Sequence, residues 1–220
     1  MGRIIKMTGD GSPTLFVPEL NEHYHSVYGA MAESAHVFIE NGLNRIKKNE
    51  IAVFEVGFGT GLNAWLTCLS AGKDHKRVSY HTIEINPLDR TEWIEYKEHL
   101  TGKEGNSLFE FIHECPWEKE IEITPWFKIN KIAGDIAGHN TSMLYDVIYF
   151  DAFGPEVQPE LWGSRIFSKI AAWMNTGALL TTYSVKGTVR RNLQAGGLKV
   201  ERIPGPPGKR QMTLAFKPFQ

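Results

Sequence analysis

The sequence is short of cysteine, long apolar runs and net charge, and each shortage excludes something. Two cysteines in 220 residues, Cys68 and Cys115, share no motif spacing. That argues against a disulfide framework and suits a reducing compartment. No stretch approaches the roughly 18 apolar residues of a membrane-spanning helix, and the opening MGRIIKMTGDGS has no apolar core of the kind a secretory leader carries. The expectation is a cytoplasmic protein with no membrane partner. His23 and His25 flank Tyr24, but no third ligand stands at metal spacing, so they read as loop histidines and no metal is expected.

A formal charge of −1 announces no polyanionic partner for the chain as a whole. Its distribution is less even. From Tyr183 to the end, eight basic residues stand against one acid, Glu201, and the preceding body is acidic. Such asymmetry fits either a basic face for an anionic substrate or a set of solvated side chains around a hairpin. Apolar residues at 42% and charged residues at 22% are ordinary for one globular domain of this length.

IIKMTGDGSPTLFVPEL reads as two short strands joined by GDGS, and AMAESAHVFIENGL as a helix over 30–41 stopped by Gly42. Together they make an N-terminal extension, 1–45, packed on a core domain, 46–220. Within the core, IAVFEV (51–56) is a strand buried on both faces, and Leu62, Trp65, Leu66 and Leu69 follow at helical spacing. VSYHTIEI (78–85) and LDRTEWIEYKEHL (88–100) repeat the strand–helix alternation. A third strand is expected between Ile121 and Ile132, interrupted by Pro125. DVIYFD (146–151), a helix over 159–174, GALLTTYS (177–184) and a helix over 186–197 precede a hairpin, LKVERIP and RQMTLAFK, around GPPG. The alternation predicts an α/β, mostly parallel, doubly wound sheet. Its antiparallel ending resembles the class I SAM-dependent methyltransferase (Rossmann-like) fold and not the dinucleotide dehydrogenases.

In FEVGFGTGLN (54–63), Gly57, Gly59 and Gly61 stand at alternate positions behind a strand. Glycine there permits positive φ and close approach of a ligand to the main chain. The helix start beyond offers N–H groups to a carboxylate or phosphate. The dinucleotide fingerprint G-x-G-x-x-G fails at Leu62. What stands is E-x-G-x-G-x-G, the pattern of S-adenosyl-L-methionine enzymes, although a purely structural turn also fits. Glu84 closes the next strand, where a carboxylate can accept both ribose hydroxyls. Asp135, in AGDI (133–136), would lie near the adenine amino group or serve as a turn aspartate.

YFDAFGP (149–155) places Asp151 at a strand tip facing the cleft of an open α/β sheet. It resembles motif IV of amino-group methyltransferases, in which an acid or amide precedes a proline and aromatic wall. On this reading Asp151 orients an amine while Phe153 and Pro155 exclude water. Tyr183 would wall the same pocket or belong to the core.

The blocks HSVYGAMAESAHVFIENGL, FEVGFGTGLNAW, FDAFGPEVQPELWGSRIF and KGTVRRNLQAGGLKVERIPGPPGKRQM resemble the methyltransferase half of the MnmC-like family, which makes 5-methylaminomethyl-2-thiouridine in tRNA. The resemblance implies S-adenosyl-L-methionine as cofactor and the anticodon region of tRNA as partner. It implies a cofactor site of Glu33, Glu55, Gly57, Phe58, Gly59, Thr60, Gly61, Asn63, Glu84 and Asp135, bordered by Asp151. It implies a substrate mouth of Tyr28, Tyr183, Lys186, Arg190, Arg191, Lys209 and Arg210. The flavin-dependent oxidase half of the bifunctional members is not among these residues, so a separate enzyme is expected to supply the aminomethyl uridine. Two alternatives stay open: an aminopropyltransferase resembling spermidine synthase, which would need extra acids for a polyamine, and a non-catalytic cofactor-binding subunit.

Overall fold

A computed structural model describes residues 2–100 and 105–219. Residues 101–104, part of the stretch that the sequence pattern did not assign, lie outside the described residues. The chain opens with a small antiparallel sheet of β1 (Ile4–Met7), β2 (Pro13–Val17) and β3 (Glu22–His23). Polar contacts tie this sheet to the rest. Arg3 donates to Glu92 at 2.7 Å, and the Tyr96 hydroxyl donates to the Pro13 carbonyl at 3.0 Å. The helix α1 (Ala30–Ser34) runs on into a π-helical stretch, Ala35–Glu40, where the Val37 carbonyl accepts a 2.8 Å bond from the Thr181 hydroxyl.

The main sheet has eight strands. Five are parallel and run in the order β9 (Met174–Thr182), β8 (Tyr145–Phe150), β4 (Glu50–Val56), β5 (Arg77–Glu84), β7 (Phe127–Ala133). Beside β9 lies the antiparallel hairpin of β10 (Lys199–Pro204) and β11 (Gln211–Phe216), with β11 on the inside. Beside β7 lies β6 (Glu120–Thr124), also antiparallel. Pro125 therefore does not interrupt one strand. It sits in the turn between two, where its missing N–H costs no ladder bond.

Alternation along the central strands sends side chains to two cores. Val147 and Tyr149 join one cluster with Val53, Trp65 and Phe109, while Ile148 and Phe150 join the other with Phe54, Trp162 and Phe167. Helices α2 (Leu62–Asp74) and α4 (Asn106–Glu114) contribute to the first cluster, as does α3 (Arg90–Glu98). Helices α5 (Ser164–Ala172) and α6 (Gly187–Ala195) contribute to the second. Asp89 and Glu92 form a reciprocal capping box at the start of α3. Cys68 and Cys115 are free and buried. No helix among the described residues is long and apolar enough to cross a membrane.

This topology fixes where a ligand can sit. From β4 the chain proceeds outward to β5 on one side and returns through β8 on the other, so a crevice opens beyond the carboxyl ends of β4 and β8. Gly57 donates its N–H to the Ile83 carbonyl and Asp151 donates its N–H to the Val56 carbonyl, which places the two loops side by side.

Candidate active site

A cavity of about 830 Å³ fills that crevice, within the range of small-molecule sites. One end is walled by Gly57, Gly59, Glu84 and Asp135. The other is walled by Glu33, Asp151, Phe153, Tyr183 and Lys209.

The glycine turn is bare for reasons internal to the protein. Gly57, at φ 92°, would push a Cβ to 2.6 Å from the Asp151 carbonyl oxygen. At Gly59 a Cβ would lie 3.0 Å from the Tyr24 ring, and at Gly61 it would lie 2.6 Å from His113 Nε2. So the glycines let neighbouring side chains and a neighbouring loop close on the turn, and the exposed backbone of Gly57 and Gly59 is left for a ligand. Glu84 steadies the turn, since its carboxylate accepts the N–H groups of Gly59 at 3.0 Å and Asn86 at 2.8 Å. One bond per oxygen leaves further acceptor capacity toward the cavity. Asp135 accepts the Ala137 N–H at 2.8 Å, shaping its turn, and also faces the cavity. A carboxylate, glycine backbone bordering the cavity and an apolar lining that includes Ile83 and Ile136 fit an adenosyl group carrying an amino-acid tail.

Several residues expected at the cofactor lie behind this wall. Glu55 is fully buried and accepts from Asn63 Nδ2 at 3.0 Å and from the Thr82 hydroxyl at 2.7 Å. Burial, with the nearby Asp151 charge, pushes its carboxyl up to about 8. Asn63 bridges downward to Glu55 and upward to Asp151 Oδ2 at 2.8 Å, so it holds Asp151 from below. Thr60 is buried and bonded to His25 Nε2 at 2.8 Å, and Gly61 is the N-cap residue of α2. Phe58 lines the cavity at its base.

Asp151 follows directly after β8, with Phe153 and Pro155 beside it in the wall. Burial and then the Glu33 charge push its carboxyl up to about 7, against the opposing effects of the Asn63 bond and Lys209. Phe153 meets Tyr24 edge-on at 5.0 Å, and the Tyr183 hydroxyl donates to the Ala152 carbonyl at 2.9 Å.

The basic positions separate. Lys209 and Lys186 line the cavity, and Lys186 is paired with Glu156. Arg191 on α6 and Arg210 before β11 are exposed outside it, with Arg190 half-buried next to Arg191. Tyr28 is 62% exposed and packs over Gly208 of the hairpin loop, where a Cβ would come within 2.5 Å of its ring. Lys199 lies at the far end of β10 from that loop, about 20 Å away along a six-residue strand, and Lys217 follows β11 at the same end. The tail's charge is therefore divided between two ends of the hairpin.

Sequence reasoning missed the contribution of residues 22–27. His23 and His25, read as loop histidines, line the cavity with Tyr24 between them. Burial drives the His25 imidazole down to about 4, so it is neutral at physiological pH. The run EHYHS, with three ring side chains between a strand and a helix, was the available signal. No cluster of three potential metal ligands occurs among the described residues.

A model of the S-adenosyl-L-methionine-dependent methyltransferase family matches residues 107–218. The chain belongs to that family. It is 31% identical to the tRNA 5-methylaminomethyl-2-thiouridine biosynthesis bifunctional protein MnmC of Ralstonia nicotianae, over 95% of this chain and 33% of the relative. The chain thus spans about a third of the length of the curated relatives it matches. Among solved structures, MNMC2 from Aquifex aeolicus superimposes with a TM-score of 0.80 at 26% identity, over 97% of this chain and 70% of that one. Spermidine synthase from Thermotoga maritima shares the fold, with a TM-score of 0.57 at 11% identity over 97% of this chain and 71% of that one.

Proposed function

We propose that the chain N-methylates the aminomethyl group of a modified wobble uridine in the anticodon region of tRNA, giving the 5-methylaminomethyl nucleoside. The observation that carries the reading is a single cavity with a turn and carboxylate suited to an adenosyl ligand at one end and Asp151 in an aromatic wall at the other. The printed names of the MnmC relatives supply the substrate class.

S-Adenosyl-L-methionine, when bound, supplies an electrophilic methyl group and a sulfonium charge. Glu84, Asp135 and the backbone of Gly57 and Gly59 would hold it. The protein must then deal with a proton. A primary alkylamine with pKa near 10.4 is protonated at neutral pH, and freeing its lone pair costs about 4–5 kcal/mol. Asp151, with its carboxyl pushed up to about 7, is suited to take one ammonium proton and leave the lone pair on nitrogen. Phe153, Tyr24 and Pro155 keep water from that atom, and fixed positioning supplies much of the remaining rate. Arg190, Arg191 and Arg210, which form no ion pairs among the described residues, are offered for the phosphate backbone. Lys186 and Lys209 pair with Glu156 and Glu33 in the cavity wall, which takes two acids away from a polyamine and favours methyl transfer over aminopropyl transfer.

The test supplies methyl-labelled S-adenosyl-L-methionine and tRNA from cells lacking the methylated nucleoside. Label is expected in 5-methylaminomethyl uridine, identified by mass, with binding that weakens steeply as salt rises. Aminopropyl transfer from the decarboxylated cofactor to a diamine, or no transfer to any acceptor, would overturn the reading.

A further inference from the structure

Lys209 lines the cavity, unlike the exposed Arg191 and Arg210. The β10–β11 loop brings it there: Gly205 donates to the Arg210 carbonyl at 3.2 Å, Lys209 donates its N–H to the Pro206 carbonyl at 2.9 Å, and His36 Nε2 lies 3.0 Å from the Pro204 carbonyl. From this anchored loop the ammonium reaches Glu33 Oε1 at 2.5 Å and rests 4.5 Å from the centre of the Tyr183 ring. Glu33 is buried on α1, and its other oxygen accepts the Ser26 N–H at 2.7 Å. Neither side chain is free to wander, and both border the same wall as Asp151.

We propose that Lys209 is a positioning residue for the proton transfer: it cancels the charge of Glu33, so that Asp151 stays ionised and able to accept a proton from the substrate amine. The proton bookkeeping rests on the function proposed above, whereas the charge cancellation does not. Left uncancelled, the Glu33 charge would make Asp151 hold a proton more tightly, and with Asp151 already protonated an arriving ammonium keeps its own. The other charged or titratable groups around Asp151 do not supply the cancelling cation. Glu55 and Tyr80 lie beneath it, with Tyr183 in its wall. Glu22 adds negative charge near Tyr183, and Asp10 adds it near His25. His25 is neutral, and Lys186 is committed to Glu156.

The direct test needs no substrate. Protein labelled with ¹³C at the aspartate carboxyl is titrated by NMR, with the Asp151 signal assigned from Asp151→Asn. Lys209→Met is expected to raise the Asp151 midpoint by about half a unit or more, the scale of one charge across several ångströms of partly solvated protein. Glu33→Gln is expected to lower it, and the double variant to return it close to wild type. The acid limb of the kcat/KM pH profile for methyl transfer should move in the same directions. A merely structural role for the pair predicts losses without opposite shifts. Midpoints unmoved in both single variants would overturn the inference. Shifted midpoints in a protein that transfers no methyl group to tRNA would instead sink the proposed function and leave the charge cancellation standing. Should Lys209→Met fail to fold, the downward shift in Glu33→Gln decides alone.

Discussion

The wall around Gly57, Glu84 and Asp135 comes from three strand ends within one stretch of chain, 57–135, whereas the wall around Asp151 is gathered from four distant segments around residues 22–33, 151–157, 183–186 and 209. The first is mostly backbone and turn, the second mostly side chain. A wall of the first kind should fail by losing cofactor, and one of the second kind by losing chemistry. Asp151→Ala is therefore expected to lower turnover about 10²–10⁴-fold while cofactor affinity stays within a few-fold. Glu84→Ala should do the reverse, weakening cofactor binding about tenfold or more, since bonds to its charged group are lost. Rates at saturating cofactor should recover in the Glu84 variant. Calorimetric titration beside steady-state kinetics checks both, and equal losses in both parameters for either variant would erase the distinction between the walls.

That difference also explains how much could be read from sequence. The parallel strands are near-continuous apolar runs, VFEV and YDVIYF among them, and their ends carry the glycine turn, Glu84 and Asp151 in plain order. Local pattern suffices where a site is made of consecutive strand tips. Lys209 and Lys186 looked like members of one basic tail, and Glu33 could be assigned only by resemblance. Their juxtaposition depends on which way the final hairpin folds back, which no local pattern records. The edge strand β6 was missed because Pro125 read as a break inside one strand when it is the turn between two. Glu55 and Asn63 were assigned to the cofactor by resemblance, whereas β4 turns Glu55 inward to a pocket of Thr82 and Asn63.

The turn itself offers a sharper cut. Gly57→Ala must place a Cβ at positive φ and 2.6 Å from the Asp151 carbonyl, so it strains both walls at their seam. A stability loss of about 1–3 kcal/mol, together with weakened cofactor binding, is expected in thermal melts and titrations. Unchanged melting would mean that the seam yields freely.

A smaller effect concerns pH. The raised carboxyls of Glu55 and Asp151, near 8 and 7, hold protons in the native state that the unfolded chain has released. Their stabilising contribution is full in acid and is lost as pH rises through those values. His25 and His113, driven by burial down to about 4 and about 3, act oppositely, with stability gained as pH rises toward 6.5. Between pH 6.5 and 8.5 the carboxyls act without that compensation. Wild-type stability should fall across this window, by no more than about 1.4 kcal/mol per pH unit per group, and the melting temperature should fall with it. Glu55→Gln should flatten the fall, leaving the part due to Asp151.

The most direct test of the account is a crystal structure with S-adenosylhomocysteine. The account predicts ribose hydroxyls on Glu84, the amino-acid end on the backbone of Gly57 and Gly59, and the sulfur turned toward Asp151. Product bound outside the crevice, or bound with its sulfur facing away from Asp151, would contradict it.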